Sequence, residues 1–90
     1  MTRIGADIGR MQELRSAFTN QAEAVVNLTN DLQSKVSMIE AREWEGPAAD
    51  RFANAWNTEF RRALDNLHTA LTDAATEVQN RAQAIQQAGS

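Results

Sequence analysis

The sequence predicts an all-α fold: an antiparallel two-helix hairpin that dimerises into a four-helix bundle. Three observations predict it. Apolar residues recur every seven positions along two long arms, a Gly-Pro break divides the chain near its middle, and large apolar side chains are too few for a lone core. The 90 residues read as a single domain, with a first helix over about 4–41, a turn over 42–46, a second helix over about 47–86 and a polar tail over 87–90.

The first arm carries Ile4, Met11, Phe18, Val25, Leu32 and Ile39, a strict seven-residue series. Ile8, Ala22 and Val36 fall four residues after three of these, a second seam that Arg15 and Thr29 interrupt, while Leu14 and Leu28 widen the stripe on its other side. Apolar spacing of three and four marks one face of an α-helix. A period of seven, rather than 3.6 per turn, favours left-handed supercoiling against a partner helix.

Gly46-Pro47 is the only interior break, because the remaining glycines (Gly5, Gly9 and Gly89) lie near the ends. Proline suits the first turn of a helix, where its missing N–H has no intrahelical partner to lose. It also disfavours the α region for the residue before it, so the first helix must stop short of Gly46. The second helix therefore starts at Pro47, with Gly46 as cap or hinge and Asp50 in the first turn, where a carboxylate suits the helix dipole.

In the second arm Leu64, Leu71, Val78 and Ile85 repeat by seven, Phe60, Leu67 and Ala74 form the companion series that Arg81 ends, and Trp56, Ala63 and Ala70 flank it. Ala, Gln, Glu and Arg dominate elsewhere, which suits helix. At 1.5 Å per residue, arms over 4–41 and 47–86 reach about 57–60 Å each. Matched arms with a short connection imply an antiparallel hairpin. The residues expected to form the packing and dimer seam are Met11, Phe18, Val25, Leu32, Ile39, Phe60, Leu64, Leu67, Leu71, Val78 and Ile85.

Hydrophobic residues make up 42% of the chain, but Ala supplies 16 of the 90 positions, so the apolar side chains are mostly small. Chains of this size usually add a disulfide, a metal or a second chain. There is no Cys and one His, which removes disulfides and Cys/His zinc sites and leaves a second chain. A lone hairpin would also leave Phe18, Trp44, Phe52, Trp56 and Phe60 partly exposed, and a four-helix bundle would cover them.

Composition excludes several functions. Nine Lys/Arg stand against twelve Asp/Glu for a net charge of −3, and neither half is basic, so no footprint for nucleic acid or anionic lipid is present. Apolar runs are very short, as at Val25-Val26 or Ala74-Ala75, and the mean hydropathy is −0.52, so stable membrane insertion is not expected. Asp7, Arg10 and Glu13 interrupt what would be the apolar core of a Sec signal peptide. No phosphate loop, metal-ligand spacing or nucleophile–base set occurs, so the expectation is no enzyme, no cofactor, no metal and no catalytic residue. His68, with Asp65 and Thr72 on its helix face, reads as an ordinary surface or rim histidine. Glu40, Glu43 and Glu45 read as solvation of the turn with possible partner contact. Gly5-x-x-x-Gly9 permits close helix approach at most, because the arm is too polar for a membrane.

Trp44-Glu45-Gly46 lies at the midpoint of this Cys-free, two-arm chain, with Phe52 six residues after the Gly and Trp56 four later. In length, layout and motif the whole chain resembles the WXG family, the early-secreted-antigen-like substrates of type VII secretion. That family carries Trp-any-Gly in the loop of a helical hairpin, followed by such aromatics. From the residues themselves, Trp44 is a large apolar surface placed to plug the hairpin end, and Gly46 permits backbone angles closed to other residues. The alternative is that Trp44 joins a recognition surface with a partner's C-terminal segment, since in the family the turn of one subunit lies near the tail of the other.

The resemblance implies a small non-enzymatic secreted protein, exported as a folded dimer and recognised by the membrane-bound secretion ATPase. It would be cytoplasmic before export and then secreted or at the cell surface without a Sec signal. The partner is itself, with a slight lean to the homodimer because the first-arm series is nearly complete, or a paralogous WXG-like chain. The alternative function is an intracellular helical adaptor or chaperone paired with a larger cargo protein. One departure stands out: the family's export signal is typically Tyr followed four residues later by Asp or Glu, and this chain has no Tyr. Either a partner's tail carries the signal, or another C-terminal signal serves, with Val78 and Ile85 as its apolar candidates. Both already fit the seven-residue seam, so packing is their first reading.

Overall fold

The computed structural model describes residues 8–89 and forms a helical hairpin of 62 × 20 × 17 Å. Helix α1 spans Ile8–Glu40, α2 spans Pro47–Ala55 and α3 spans Arg61–Ala88. Between α2 and α3 lies one π-helical turn, Trp56–Phe60. The backbone stays in the right-handed helical region through Ala55, Trp56, Phe60 and Arg61, so α2, the π turn and α3 make one continuous rod. That rod folds back along α1, and no strand occurs among the described residues. The expected helix start at residue 4 and the glycine at 5 lie outside the described residues, as does Ser90. Gln87 and Ala88, expected in a polar tail, continue the helix.

Along α1 the seven-residue series packs as its spacing predicts. Met11, Phe18, Leu32 and Ile39 are half-buried and Val25 is buried. The second seam is continuous rather than interrupted: Ile8, Arg15 and Thr29 are half-buried, and Ala22 and Val36 are buried. Thr29 fits because its hydroxyl donates to the Val25 carbonyl at 2.7 Å, so no polar group is stranded against the opposite helix. Arg15 is half-buried beside Met11, Gln79 and Ala82, a place that the long aliphatic stem of an arginine suits.

The rod differs from the expected pattern. Leu64, Leu71, Val78 and Ile85 are half-buried as the spacing predicts, but their companions are His68, Ala75 and Ala82. Phe60 and Leu67 are both 46% exposed. The cause is the π turn, in which the Arg61 N–H donates to the Trp56 carbonyl five residues back. This wider turn contains one more residue than an α turn, so the seam that would follow Trp56 as 60, 63, 67, 70 and 74 is displaced by one position and runs through 64, 68, 71 and 75.

Trp56 also departs from expectation. Rather than partly exposed, it is 0% exposed and is, with Val36, the largest side chain buried completely. Its indole N–H donates to Gln33 Oε1 at 3.0 Å, which satisfies the one polar atom the ring carries inside. The remaining buried residues, Ala22, Val25, Ala49, Ala75 and Ala82, are small. This core is one side chain deep, as two helices sharing a single stripe must make it.

Candidate functional site

The turn is built by backbone chemistry. Arg42 adopts the left-handed conformation at φ 65°, its N–H donates to Ile39 at 2.9 Å, and the Glu43 N–H donates to Met38 at 2.9 Å. These paired 5→2 and 6→1 bonds are a Schellman motif, which satisfies the last carbonyls of α1. An exposed ion pair, Arg42 Nη1 to Glu45 Oε1 at 3.2 Å, spans the turn. Gly46 follows at φ 141°, ψ 169°, a conformation essentially reserved for glycine. An added Cβ at Gly46 would meet nothing within 4 Å, so the requirement is backbone freedom and not space. Pro47 occupies the first turn of α2 with Asp50, whose N–H donates to the Gly46 carbonyl at 3.0 Å.

This geometry leaves Trp44 53% exposed, partly covered at the hairpin end. Its ring borders two clefts. One, of about 260 Å³, is apolar and is shared with Lys35, Met38, Ile39 and Phe52. The other, of about 640 Å³, is walled mainly by Glu40, Arg42, Glu45, Asp50, Asn54 and Asn57. Phe52 is half-buried and its ring meets Phe60 at a centroid distance of 6.4 Å, tilted by 46°. Of the residues expected around the turn motif, the structure therefore brings Trp44 and Phe52 together at the surface and places Trp56 inside.

The exposed large residues continue from there along one side. In two antiparallel helices, positions three and six after a seam residue fall on the same side of the pair. Leu14 and Leu28 stand three after Met11 and Val25, Met38 six after Leu32, and Leu67 three after Leu64, with Phe60 seven before it. All five are more than 40% exposed. The opposite side is polar: Val26 there shares a shallow cleft with Thr19, Glu23, Asn27, His68 and Thr72. The side with Leu14, Leu28, Met38, Phe60 and Leu67 is thus the more apolar of the two, although Gln21, Asp31, Lys35, Glu77 and Arg81 fall on it by the same spacing, and Trp44 and Phe52 lie at its turn end.

Size is graded along the apolar face. Its turn half carries Leu28, Met38, Phe60 and Leu67 with Asp31, Lys35 and Ala63, and the remainder carries Ala17, Ala24, Ala70, Ala74 and Ala84 besides Leu14, Gln21, Glu77 and Arg81. Sequence reasoning missed two residues here. Met38 falls outside both seven-residue series, and Gln33 gave no signal that it accepts from Trp56. Val78 and Ile85 are half-buried against α1. The arrangement suits side-on packing of helices. No group of three or more His, Cys, Asp or Glu able to hold a metal ion occurs among the described residues, and no helix there is long and apolar enough to cross a membrane.

A family model described as WXG100, proteins of 100 residues with WXG, matches residues 3–90. No curated protein and no solved structure matches the chain.

Proposed function

The chain belongs to the WXG100 family, and from that premise we propose that it is exported by a type VII secretion system as a folded pair of hairpins. The family implies a small helical type VII secretion substrate rather than an enzyme. The observation that carries the finer reading is the two-faced hairpin. An extended apolar face on a chain with so thin a core is what a paired helical bundle requires and a lone hairpin would leave wet.

The partner favoured is a second copy. Packed head to tail, the bulky turn half of one face meets the alanine-rich remainder of the other, which allows interdigitation along the length. Trp44 then lies at the end of the bundle beside the partner's C-terminal segment, exposed for the secretion ATPase. Val78 and Ile85 are engaged by α1, which supports packing as their role and leaves an export signal to residues outside the seam.

The test is to tag the chain in its own host and delete the secretion ATPase. The reading predicts that the protein disappears from the medium and accumulates, folded, in the cell. Unchanged export would refute it. Constant intracellular retention in complex with one large protein would establish the adaptor or chaperone role instead.

A further inference from the structure

We infer that the surface around Trp44 is a two-compartment seat for a segment of another protein that carries an apolar side chain next to an arginine. This seat needs neither the pairing nor the export proposed above. The Trp44 ring, 53% exposed, borders an apolar cleft and a charged one at once. Met38, Ile39 and Phe52 line the apolar cleft of about 260 Å³. The one charge on it, Lys35, is already paired with Asp31 at 3.2 Å.

The charged cleft, of about 640 Å³, sets three carboxylates, Glu40, Glu45 and Asp50, against one cation, Arg42. Arg42 is engaged by Glu45 at 3.2 Å. Glu40 and Asp50 make no ion pair among the described residues. The turn fixes this juxtaposition. Glu40 ends α1, Asp50 stands in the first turn of α2, and Trp44 lies on the loop between them. The Schellman bonds and the Gly46 conformation hold that loop in place, so both carboxylates border the same cleft as the ring.

The occupant follows from charge. Among aromatic side chains Trp is the best partner for a cation, and Arg is the commoner cation in such contacts. A guanidinium lying flat on the ring directs its N–H groups outward in the ring plane, where carboxylates accept them. The compact, strongly hydrated ammonium of lysine matches a flat ring less well. An acidic or neutral segment would cover Glu40 and Asp50 without compensating them. An apolar side chain of the same segment fills the neighbouring cleft and keeps water from the contact, as at interface hot spots. A second copy packed head to tail brings its tail to this end, but residues 82–90 contain no Lys or Arg.

The probe is the blocked peptide acetyl-Ala-Leu-Arg-Ala-amide, titrated at low ionic strength into the isotope-labelled full chain and followed by nuclear magnetic resonance. The chain has two tryptophans, and Trp56, buried and bonded to Gln33, is the internal control. The Trp44 indole and Gly46 amide signals are expected to move saturably while the Trp56 indole stays. Replacing the arginine of the peptide by citrulline, its uncharged isostere, weakens binding at least about 10-fold, and replacing its leucine by glycine does about the same. Glu40→Gln with Asp50→Asn weakens binding of the arginine peptide by a similar factor and leaves the citrulline peptide unaffected, which a mere disturbance of the turn would not do. The peptide comparison needs no altered chain and decides the matter even where that double variant fails to fold. Equal binding of the arginine and citrulline peptides overturns the arginine. Movement at neither Trp44 nor Gly46 up to the solubility limit of the peptide, or equal movement at both indoles, overturns the seat. If concentrating the protein alone moves the Trp44 signal and blocks the peptide, a second copy occupies the seat and the foreign segment is overturned.

Discussion

Replacing each tryptophan with alanine in turn separates the one that builds the fold from the one left for a partner. Trp56 is 0% exposed and Trp44 is 53% exposed. A Trp side chain carries about 150–250 Å², so at ~25 cal/mol per Å² its full burial contributes about 4–6 kcal/mol gross. Core Trp→Ala changes cost about 3–5 kcal/mol once the cavity is included. Gln33 is only half-buried and can turn to water when the indole N–H is lost, which adds less than about 1 kcal/mol. Trp56→Ala is therefore expected to lose about 4–5 kcal/mol. Trp44 buries less than half its surface, about 2–3 kcal/mol gross, and the unfolded chain already hides ~10–40% of that kind of area. Trp44→Ala is expected to lose about 1–2 kcal/mol. A domain of 90 residues has roughly 5–13 kcal/mol to lose. The first change thus brings the chain near unfolding and the second leaves it folded. Urea titration followed by circular dichroism checks this, at one fixed protein concentration because association contributes to stability. Equal losses for the two variants, or a larger loss for Trp44→Ala, would refute the assignment of Trp56 to the core and Trp44 to the surface.

Three further outcomes follow from the same geometry. Gly46→Ala forces a side chain into a backbone conformation that costs about 1–3 kcal/mol, with no clash to relieve, so the urea midpoint falls while helicity in water is retained. Raising sodium chloride to about 0.5 M shifts stability by no more than about 0.5 kcal/mol, because the pairs Lys35–Asp31 and Arg42–Glu45 are both exposed; a large loss in the same titration would reveal an ionic contribution the structure does not contain. Trp44→Ala, folded and paired, is expected to be lost from the culture medium of the native host, and normal export would show that its exposed ring is not part of the recognised surface.

Much of the fold was legible because it rests on local rules. The Met11 to Ile39 series needed only the period of seven, and Gly46-Pro47 announced both the end of one helix and the start of the next. The companion seam of the second arm was not legible. Nothing in Trp56-Asn57-Thr58-Glu59-Phe60 distinguishes a π turn from an α turn, and the side chain that accepts from Trp56 at its start, Gln33, is twenty-three residues away. The same contact explains why Trp56 was expected to be partly exposed, since its place inside follows from a tertiary partner and not from spacing. Trp44, expected to be partly exposed in a lone hairpin, is so. The Schellman turn at Arg42 carries the chain away from the seam before Trp44, and a left-handed arginine has no signature in sequence. Arg15 and Thr29 were expected to interrupt the second seam because polarity alone was weighed. An aliphatic stem and a bonded hydroxyl let both residues take their places in it.

The most direct test of the account is the solution mass of the purified full chain by light scattering, measured over a range of concentrations. Pairing through the apolar face predicts a mass of about twice the 10.0 kDa chain, with high helicity in the same sample. A stable, fully helical species that keeps the 10.0 kDa mass at every concentration would contradict it, because the apolar face would then serve no second copy.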